Sequence, residues 1–348
     1  VIDELKARSE FFQVSVCATG QHDELLNQVL SLFSIVPEKR LSVMTPGQTL
    51  PELTARLITA ISGVLAQGTY DLVIVQGDTT TAFVGALCAF YAKIPVAHVE
   101  AGLRTHDMRA PFPEEMNRRL ISHVATWHFA PTPLARQNLL REGIAADSIY
   151  VVGNTIVDAL RKVAPHATPS TDVIARIAER PFLLVTQHRR ESFGEPMKQV
   201  FRALAEFAVA HPEIAVVFPM HPNPNVSESA LETLAGIANV HLIQPLPYTD
   251  FLYLMQRALF LVTDSGGIQE EAAALGKPIL VTRETTERPE VLSLEFARLV
   301  GADGEALRRA SEEFYEKWRA GDFTLSDQPC PFGDGRAAQY ITDVLQRV

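Results

Sequence analysis

The sequence predicts an α/β chain of two domains, each built on a parallel sheet. Short apolar runs, hydrophobic on both faces, alternate along the whole chain with stretches of helical period. Buried parallel strands separated by crossover helices give that alternation. A length of 348 residues suits two domains of ordinary size, and a 47 % apolar fraction can fill their cores. Polar residues gather where the strands end, which is where open α/β sheets bind ligands.

Taken in order, Val14 to Ala18 reads as a strand, and His22 to Phe33 as a helix with Leu25, Leu26, Val29 and Leu30 on one face. Leu50 to Leu65 is a second helix. The strand Leu72 to Val75 enters Gln76-Gly77-Asp78-Thr79-Thr80-Thr81, and a helix continues to Tyr91. The strand Pro95 to Val99 enters Glu100-Ala101-Gly102-Leu103-Arg104. Further strands are expected at Trp127 to Ala130, Ile149 to Val152, Phe182 to Val185, Ile214 to Phe218, Phe260 to Val262 and around Leu280. The stretch Pro165 to Pro181 has the weakest packing pattern, so a boundary is expected near Asp158 to Pro169. This gives domains of 1–160 and 161–335, with a helix at 336–348 returning to the first. Neither an internal repeat nor a low-complexity tract is visible.

Charge and composition narrow the function. A formal net charge of −10 argues against holding a nucleic-acid backbone by bulk electrostatics, so any phosphate must be gripped locally. The three cysteines, Cys17, Cys88 and Cys330, lack metal-ligand spacing, and two sit in apolar runs. They read as buried thiols of a reducing cytoplasm, and no metal is expected. No run reaches membrane-spanning length, and no signal peptide is visible.

The chemistry centres on Thr263-Asp264-Ser265-Gly266-Gly267-Ile268-Gln269-Glu270-Glu271, between the apolar run Ala258 to Val262 and a helix through Ala272 to Leu275 that ends at Gly276 and Pro278. A Ser-Gly-Gly turn there directs unpaired N–H groups at an anion, and the absent side chains let a phosphate approach. Glu270 and Glu271, one turn further in, can accept from sugar hydroxyls. The plainer reading is an ordinary glycine-rich turn.

Asp78, Glu100 and Glu114 fall at strand-end loops of the first domain, and His188, Arg189 and His221 at those of the second. Each has a structural alternative. Asp78 also reads as the cap of a helix starting at Thr79, Glu114 as a first-turn acid, His188 with Arg189 as solvated surface, and His221 as a turn former. Two such domains facing each other would suit a nucleotide-activated sugar.

These residues lie in the runs QGDTTT, HVEAGLRT, PFPEEMNR, VGNTIVDAL, HRRESFG, HPNPNV, TDSGGIQEE and LGKPILVTRETTERPE. The set resembles the non-hydrolysing UDP-N-acetylglucosamine 2-epimerases over nearly the whole chain, from Ala18 to Gly335. The resemblance implies two Rossmann-like domains of glycosyltransferase-B type with the active site in the cleft between them, and a homodimer. It implies interconversion of UDP-GlcNAc and UDP-ManNAc for bacterial surface polysaccharides, with no cofactor. Asp78, Glu100, Glu114 and His188 match the family's catalytic positions. Ser265, Gly266 and Gly267 match the diphosphate turn, Glu271 the ribose acid and Phe251 a position beside uracil, with Arg104 and Arg189 as further contacts to UDP. Gln21, Gln48, Arg189 and His221 match positions that contact a second UDP-GlcNAc acting as activator.

Some positions depart from the family. Glu24 and Gly47 stand where some members have Gln and Arg. The family's Asn-Pro-Tyr-Gly-Asp-Gly is here Cys330-Pro331-Phe332-Gly333-Asp334-Gly335, and Leu294 to Ala297 lacks the usual glycine. The family's opening strand and Gly-Thr-Arg-Pro-Glu loop are not in the sequence, and residues preceding Val1 are expected to supply them. A hydrolysing 2-epimerase and a glycosyltransferase are the alternatives on the same architecture, and a non-catalytic sugar-nucleotide sensor is a third.

Overall fold

The computed structural model describes residues 1–20, 23–45, 47–322 and 329–348. The chain divides into two compact units, one of Val1–Thr155 with Gly335–Val348 and one of Ile156–Asp334. In chain order the strands of the first are β1 Cys17–Ala18, β2 Lys39–Arg40, β3 Val73–Gln76, β4 Val96–Val99, β5 Trp127–Ala130 and β6 Ile149–Val151. Those of the second are β7 Phe182–Thr186, β8 Ala215–Pro219, β9 Val240–Ile243, β10 Leu261–Thr263, β11 Ile279–Val281 and β12 Ala297–Leu299. Every pairing between them is parallel, as the two-faced hydrophobic runs require.

In the first unit β3, β4, β5 and β6 form one sheet in that order, each step crossing through a helix. The helices Thr80–Tyr91 and Pro133–Arg141 start where Thr79 and Thr132 accept the N–H of Ala82 and Ala135. Each such cap contributes about 1 kcal/mol. The helix Leu50–Leu65 opens with a capping box between Thr49 and Glu52, and it packs Leu53, Leu57 and Ile61 with Val84 and Cys88. The pairing of Gln76 with Val99 sets the loops at residues 77–78 and 100 side by side. Gly102 follows with φ +91°, and a Cβ there would stand 2.2 Å from the Ala135 carbonyl oxygen, so only glycine fits.

Of the expected strand Val14 to Ala18, only Cys17–Ala18 pairs, and it does so with β2 in a ladder apart from the main sheet. The Val16 N–H goes to the Glu38 carboxylate instead of a neighbouring strand. That position leaves Cys17 exposed despite its apolar neighbours, whereas Cys88 is buried as expected.

The second unit carries a six-stranded sheet of order β12-β11-β10-β7-β8-β9, which is the Rossmann order with β7 as its first strand. Apolar clusters cover both faces, one around Phe201, Phe207, Phe218, Phe260 and Phe314, the other around Phe182, Leu184, Val217, Ile279 and Phe332. The chain runs from β7 outward to β9, then returns to place β10 on the other side of β7. The switch point therefore lies between β7 and β10, and the loops leaving those strands flank a ligand crevice. The helix after β10 spans Gly266–Leu275, so the Ser-Gly-Gly sequence forms its cap and first turn. It ends at Gly276 in the left-handed region, φ 62°.

Candidate active site

In the first unit the acids are held from several sides. Asp78 is not a helix cap, because Thr79 takes that role. Its carboxylate Oδ2 accepts from Arg118 Nε at 2.9 Å and lies 2.7 Å from Arg118 Nη2, while Asn117 Nδ2 donates to the Asp78 carbonyl at 2.8 Å. His98 is fully buried, and its Nε2 lies 2.8 Å from the carbonyl of Gly77, the residue before Asp78. Burial pushes the His98 imidazole down to about 3, so it stays neutral and donates through Nε2. Glu115, wholly buried, accepts the N–H groups of Thr105 and His106 and pairs with Arg118 at 3.0 Å. Arg118 therefore bridges a structural acid, Glu115, to a half-exposed one, Asp78.

Glu100 sits just beyond β4 with φ 67°, a left-handed conformation that costs a non-glycine residue of order 1–3 kcal/mol and persists only where the surroundings impose it. Its Oε2 would lie 3.6 Å from a Cβ built on Gly77, so the two strand-end loops touch. Glu114 begins the helix Glu114–Val124, and its Oε2 is buried without a hydrogen-bond partner among the described residues. Asp78 and Glu100 thus sit on adjoining strand-end loops.

In the second unit the first helical turn at Gly266 is open. Ser265 is the N-cap residue, yet its side chain makes no capping bond. The two glycines differ in what they do. A Cβ on Gly266 would stand 2.5 Å from Arg288 Nη1, whereas one on Gly267 meets nothing within 4 Å. Gly266 makes room for an arginine, and Gly267 faces open space. One turn in, buried Glu271 accepts from the Tyr248 hydroxyl at 2.7 Å. Burial pushes the Glu271 carboxyl up to about 7, partly offset by that hydrogen bond, and burial raises Tyr248 as well. Phe251 lies on the same helix as Tyr248, half-buried against the core.

Across the switch point, His188 follows β7. Its Nδ1 lies 2.7 Å from Asp264 Oδ1, and Asp264 Oδ2 accepts the N–H groups of His188 and Arg189 at 2.9 Å each. Burial raises the Asp264 carboxyl, but His188 and the two backbone donors outweigh it and hold it below the usual range. The His221 ring stands 6.0 Å from that of His188. Burial and the neighbouring His188 lower its imidazole, against the opposing pull of Asp264.

Behind the turn lies a charged cluster. Glu287 pairs with Arg288 at 2.6 Å, Arg283 at 2.7 Å and Arg189 at 3.6 Å, and Arg288 reaches Glu270 at 2.7 Å. Burial raises the Glu287 carboxyl, but Arg288, Arg283 and Arg189 together bring it down to about 2. Arg189 Nε has no hydrogen-bond partner among the described residues, which leaves one donor for a ligand.

Other assignments fare differently. Arg104, expected at UDP, directs Nε and Nη2 to Glu142, Nη1 to the Leu103 carbonyl and Nη2 also to Ser122. Its guanidinium reaches no solvent, and it braces the loop after β4. Gln48 turns into its own loop, accepting from Thr45 and donating to Met44 Sδ. Gln21 lies outside the described residues. Asp264, Tyr248, Asn117, Arg118 and His98 were not singled out from the sequence, although all but Tyr248 stood within the runs that were. Among the described residues no group of three His, Cys, Asp or Glu side chains is placed to hold a metal ion, and no helix is long and apolar enough to cross a membrane.

The family model described as UDP-N-acetylglucosamine 2-epimerase matches residues 3–346. The chain is 47 % identical to the UDP-N-acetylglucosamine 2-epimerase of Salmonella typhimurium, over 96 % of this chain and 91 % of that one. The crystal structure of the Neisseria meningitidis UDP-GlcNAc 2-epimerase bound to UDP-GlcNAc superposes with a TM-score of 0.91 at 41 % identity, covering 100 % of this chain and 95 % of the other. The Methanocaldococcus jannaschii enzyme in complex with UDP-GlcNAc and UDP gives 0.85 at 33 % identity, over 99 % and 95 %. Together with the parallel α/β fold, these likenesses show that the chain belongs to the UDP-N-acetylglucosamine 2-epimerase family.

Proposed function

We propose that the protein interconverts UDP-GlcNAc and UDP-ManNAc by inverting C2, without net hydrolysis. The observation that carries the reading is the open helix terminus at Ser265–Gly267, with buried Glu271 one turn in, at the switch point of a Rossmann sheet. That arrangement suits a nucleoside diphosphate, and the relatives solved with UDP-GlcNAc and UDP support it. Ser265, Gly267 and Arg189 take the diphosphate, Glu271 the ribose and Phe251 the base side. The acids of the first unit serve the sugar.

The hydrogen on C2 has no neighbouring carbonyl to acidify it, so direct proton exchange has too high a barrier. UDP is the available leaving group. As the C1–O bond breaks, its electron pair leaves with the UDP oxygen and C1 becomes oxocarbenium-like. Loss of the C2 proton to a carboxylate then forms the C1=C2 bond of 2-acetamidoglucal. Return of a proton to the opposite face and attack of the UDP oxygen on C1 complete the inversion. One residue cannot reach both faces, so two of Asp78, Glu100 and Glu114 act, while His188 and Ser265 hold the departing diphosphate. As corollaries, a homodimer working in the cytoplasm supplies surface-polysaccharide synthesis, and Arg189 and His221 contribute to an activating second UDP-GlcNAc site.

Incubation with UDP-GlcNAc alone in D₂O, followed by NMR, tests this reading. The expected product is UDP-ManNAc with deuterium at C2. Free ManNAc plus UDP would instead identify a hydrolysing enzyme, and no turnover without an acceptor a transferase. Retention of the original C2 hydrogen in the product would exclude elimination.

The nucleotide turn has its own test. Ser265→Phe fills the phosphate position, and Glu271→Ala removes a ribose acceptor. Each is expected to weaken UDP binding by about 10-fold or more, the scale of losing a hydrogen bond to a charged group. Calorimetry showing wild-type UDP affinity in both would remove the assignment of this turn.

A further inference from the structure

We infer that Asp264 is a positioning residue for His188, holding its Nδ1 protonated and turned inward so that Nε2 is the nitrogen offered to the substrate. The inference deepens the proposed function and rests on the assignment of His188 to the diphosphate. Asp264 directly precedes the N-cap residue Ser265, yet its carboxylate is aimed away from its own helix. One oxygen accepts the backbone N–H groups of His188 and Arg189, and the other meets the imidazole. A carboxylate that capped its own helix would engage the N–H groups two or three residues on. This one instead ties the loop after β7 to the turn after β10, across the switch point.

The contact itself fixes the tautomer. Nδ1 and Oδ1 are 2.7 Å apart in a short, bent contact. Oδ1 has no hydrogen bond of good geometry among the described residues, but at that separation a bare ring nitrogen would set its lone pair against a carboxylate oxygen, so the protonated nitrogen is the one that faces Asp264. The Asp264 side chain is 0 % exposed and the His188 side chain 38 % exposed, so the protonated nitrogen faces the interior. Nε2 carries no hydrogen bond among the described residues. A neutral ring held this way presents a lone pair at Nε2. A protonated ring presents an N–H to a phosphate oxygen, with its charge balanced by the carboxylate behind it. The same carboxylate holds the backbone at residues 188 and 189, so tautomer and ring position are set by one group.

The test uses the full chain labelled with ¹⁵N-histidine, the His188 ring signals being assigned by their loss in His188→Asn. In the neutral ring of the wild type, Nδ1 is expected to be the protonated nitrogen and Nε2 the bare one. Asp264→Asn presents an amide that can donate to Nδ1, so the tautomer is expected to reverse. kcat should then fall on the order of 10² to 10⁴, and UDP affinity should weaken as well, because the ring that changes is the one assigned to the diphosphate. Either Nε2–H in the wild type or a UDP-binding Asp264→Asn enzyme with undiminished kcat overturns the inference. The wild-type spectrum decides even if the variant does not fold. Nδ1–H in the wild type with full activity in His188→Asn would uphold the positioning by Asp264 and remove the catalytic assignment of His188 instead.

Discussion

Asp78→Asn and Glu100→Gln are each expected to lower kcat by roughly 10² to 10⁴, the usual contribution of a general acid or base, while UDP still binds. Both changes keep the shape of the side chain and remove its ability to exchange a proton. At position 78 the backbone remains pinned, because Asn117 donates to its carbonyl and His98 to the carbonyl of Gly77. Arg118 keeps Glu115 as a partner, so the helix Glu114–Val124 stays anchored. At position 100 the left-handed backbone is imposed by the strand-end loops, and an amide does not alter it. The loss should therefore appear in turnover alone. Steady-state kinetics beside UDP calorimetry separates the two quantities. Wild-type kcat in either variant would take that acid out of the mechanism.

The largest effect on stability is expected from Glu287→Gln, about 3–5 kcal/mol, the cost of removing one partner from a buried ion pair. Arg288 and Arg283 lie within 2.7 Å of that carboxylate, and at 1 % side-chain exposure water cannot replace it. The amide leaves the arginine charges undercompensated in the cluster behind the Ser-Gly-Gly turn. The effect also has a pH signature. The folded carboxyl is depressed from an ordinary 4.5 to about 2. Its contribution is thus complete above about 4.5 and is lost as pH falls toward 2. Urea denaturation should show a wide wild-type-to-variant gap at neutral pH that narrows below about pH 4.5. The same gap at pH 3 as at pH 7 would refute the assigned ionisation.

The α/β class, most strands of the two sheets and the open helix terminus at Ser-Gly-Gly were legible in the sequence because each rests on local pattern, whereas β2, β9 and β12 were not expected. Two-faced apolar runs fix parallel strands, and Ser-Gly-Gly ahead of a helical stretch fixes an open terminus. Long-range pairing was not legible. Arg104 sits in a run of strand-end residues and reads as a ligand contact, yet Glu142, 38 residues on, binds it completely. Arg118 carries no local signal of its own, and only the fold brings it to Asp78, 40 residues earlier. Asp264 looked like part of the turn, and its true partners lie 75 and 76 residues away. Gly266 and Gly267 looked equivalent. Only the placement of Arg288 separates them.

The first unit is closed by a segment distant in sequence. The helix Ala337–Leu345 packs Ile341 and Leu345 beside Leu5, Val99 and Phe129, and Arg8 pairs with Asp343 at 2.7 Å and donates to Gln346 at 3.0 Å. That helix follows the whole of the second unit along the chain. During synthesis, therefore, the Ile156–Asp334 unit is a complete and continuous sequence before the first unit has received its closing helix. The strands around Asp78 and Glu100 emerge earlier, and even after Thr155 has completed the first stretch of their unit they wait, with one apolar side uncovered, for about 180 further residues. At elongation rates of roughly 5–20 residues per second that wait lasts on the order of 10 to 40 s. The part of the molecule translated first is thus the part finished last, and its uncovered face is what a nascent-chain chaperone would meet.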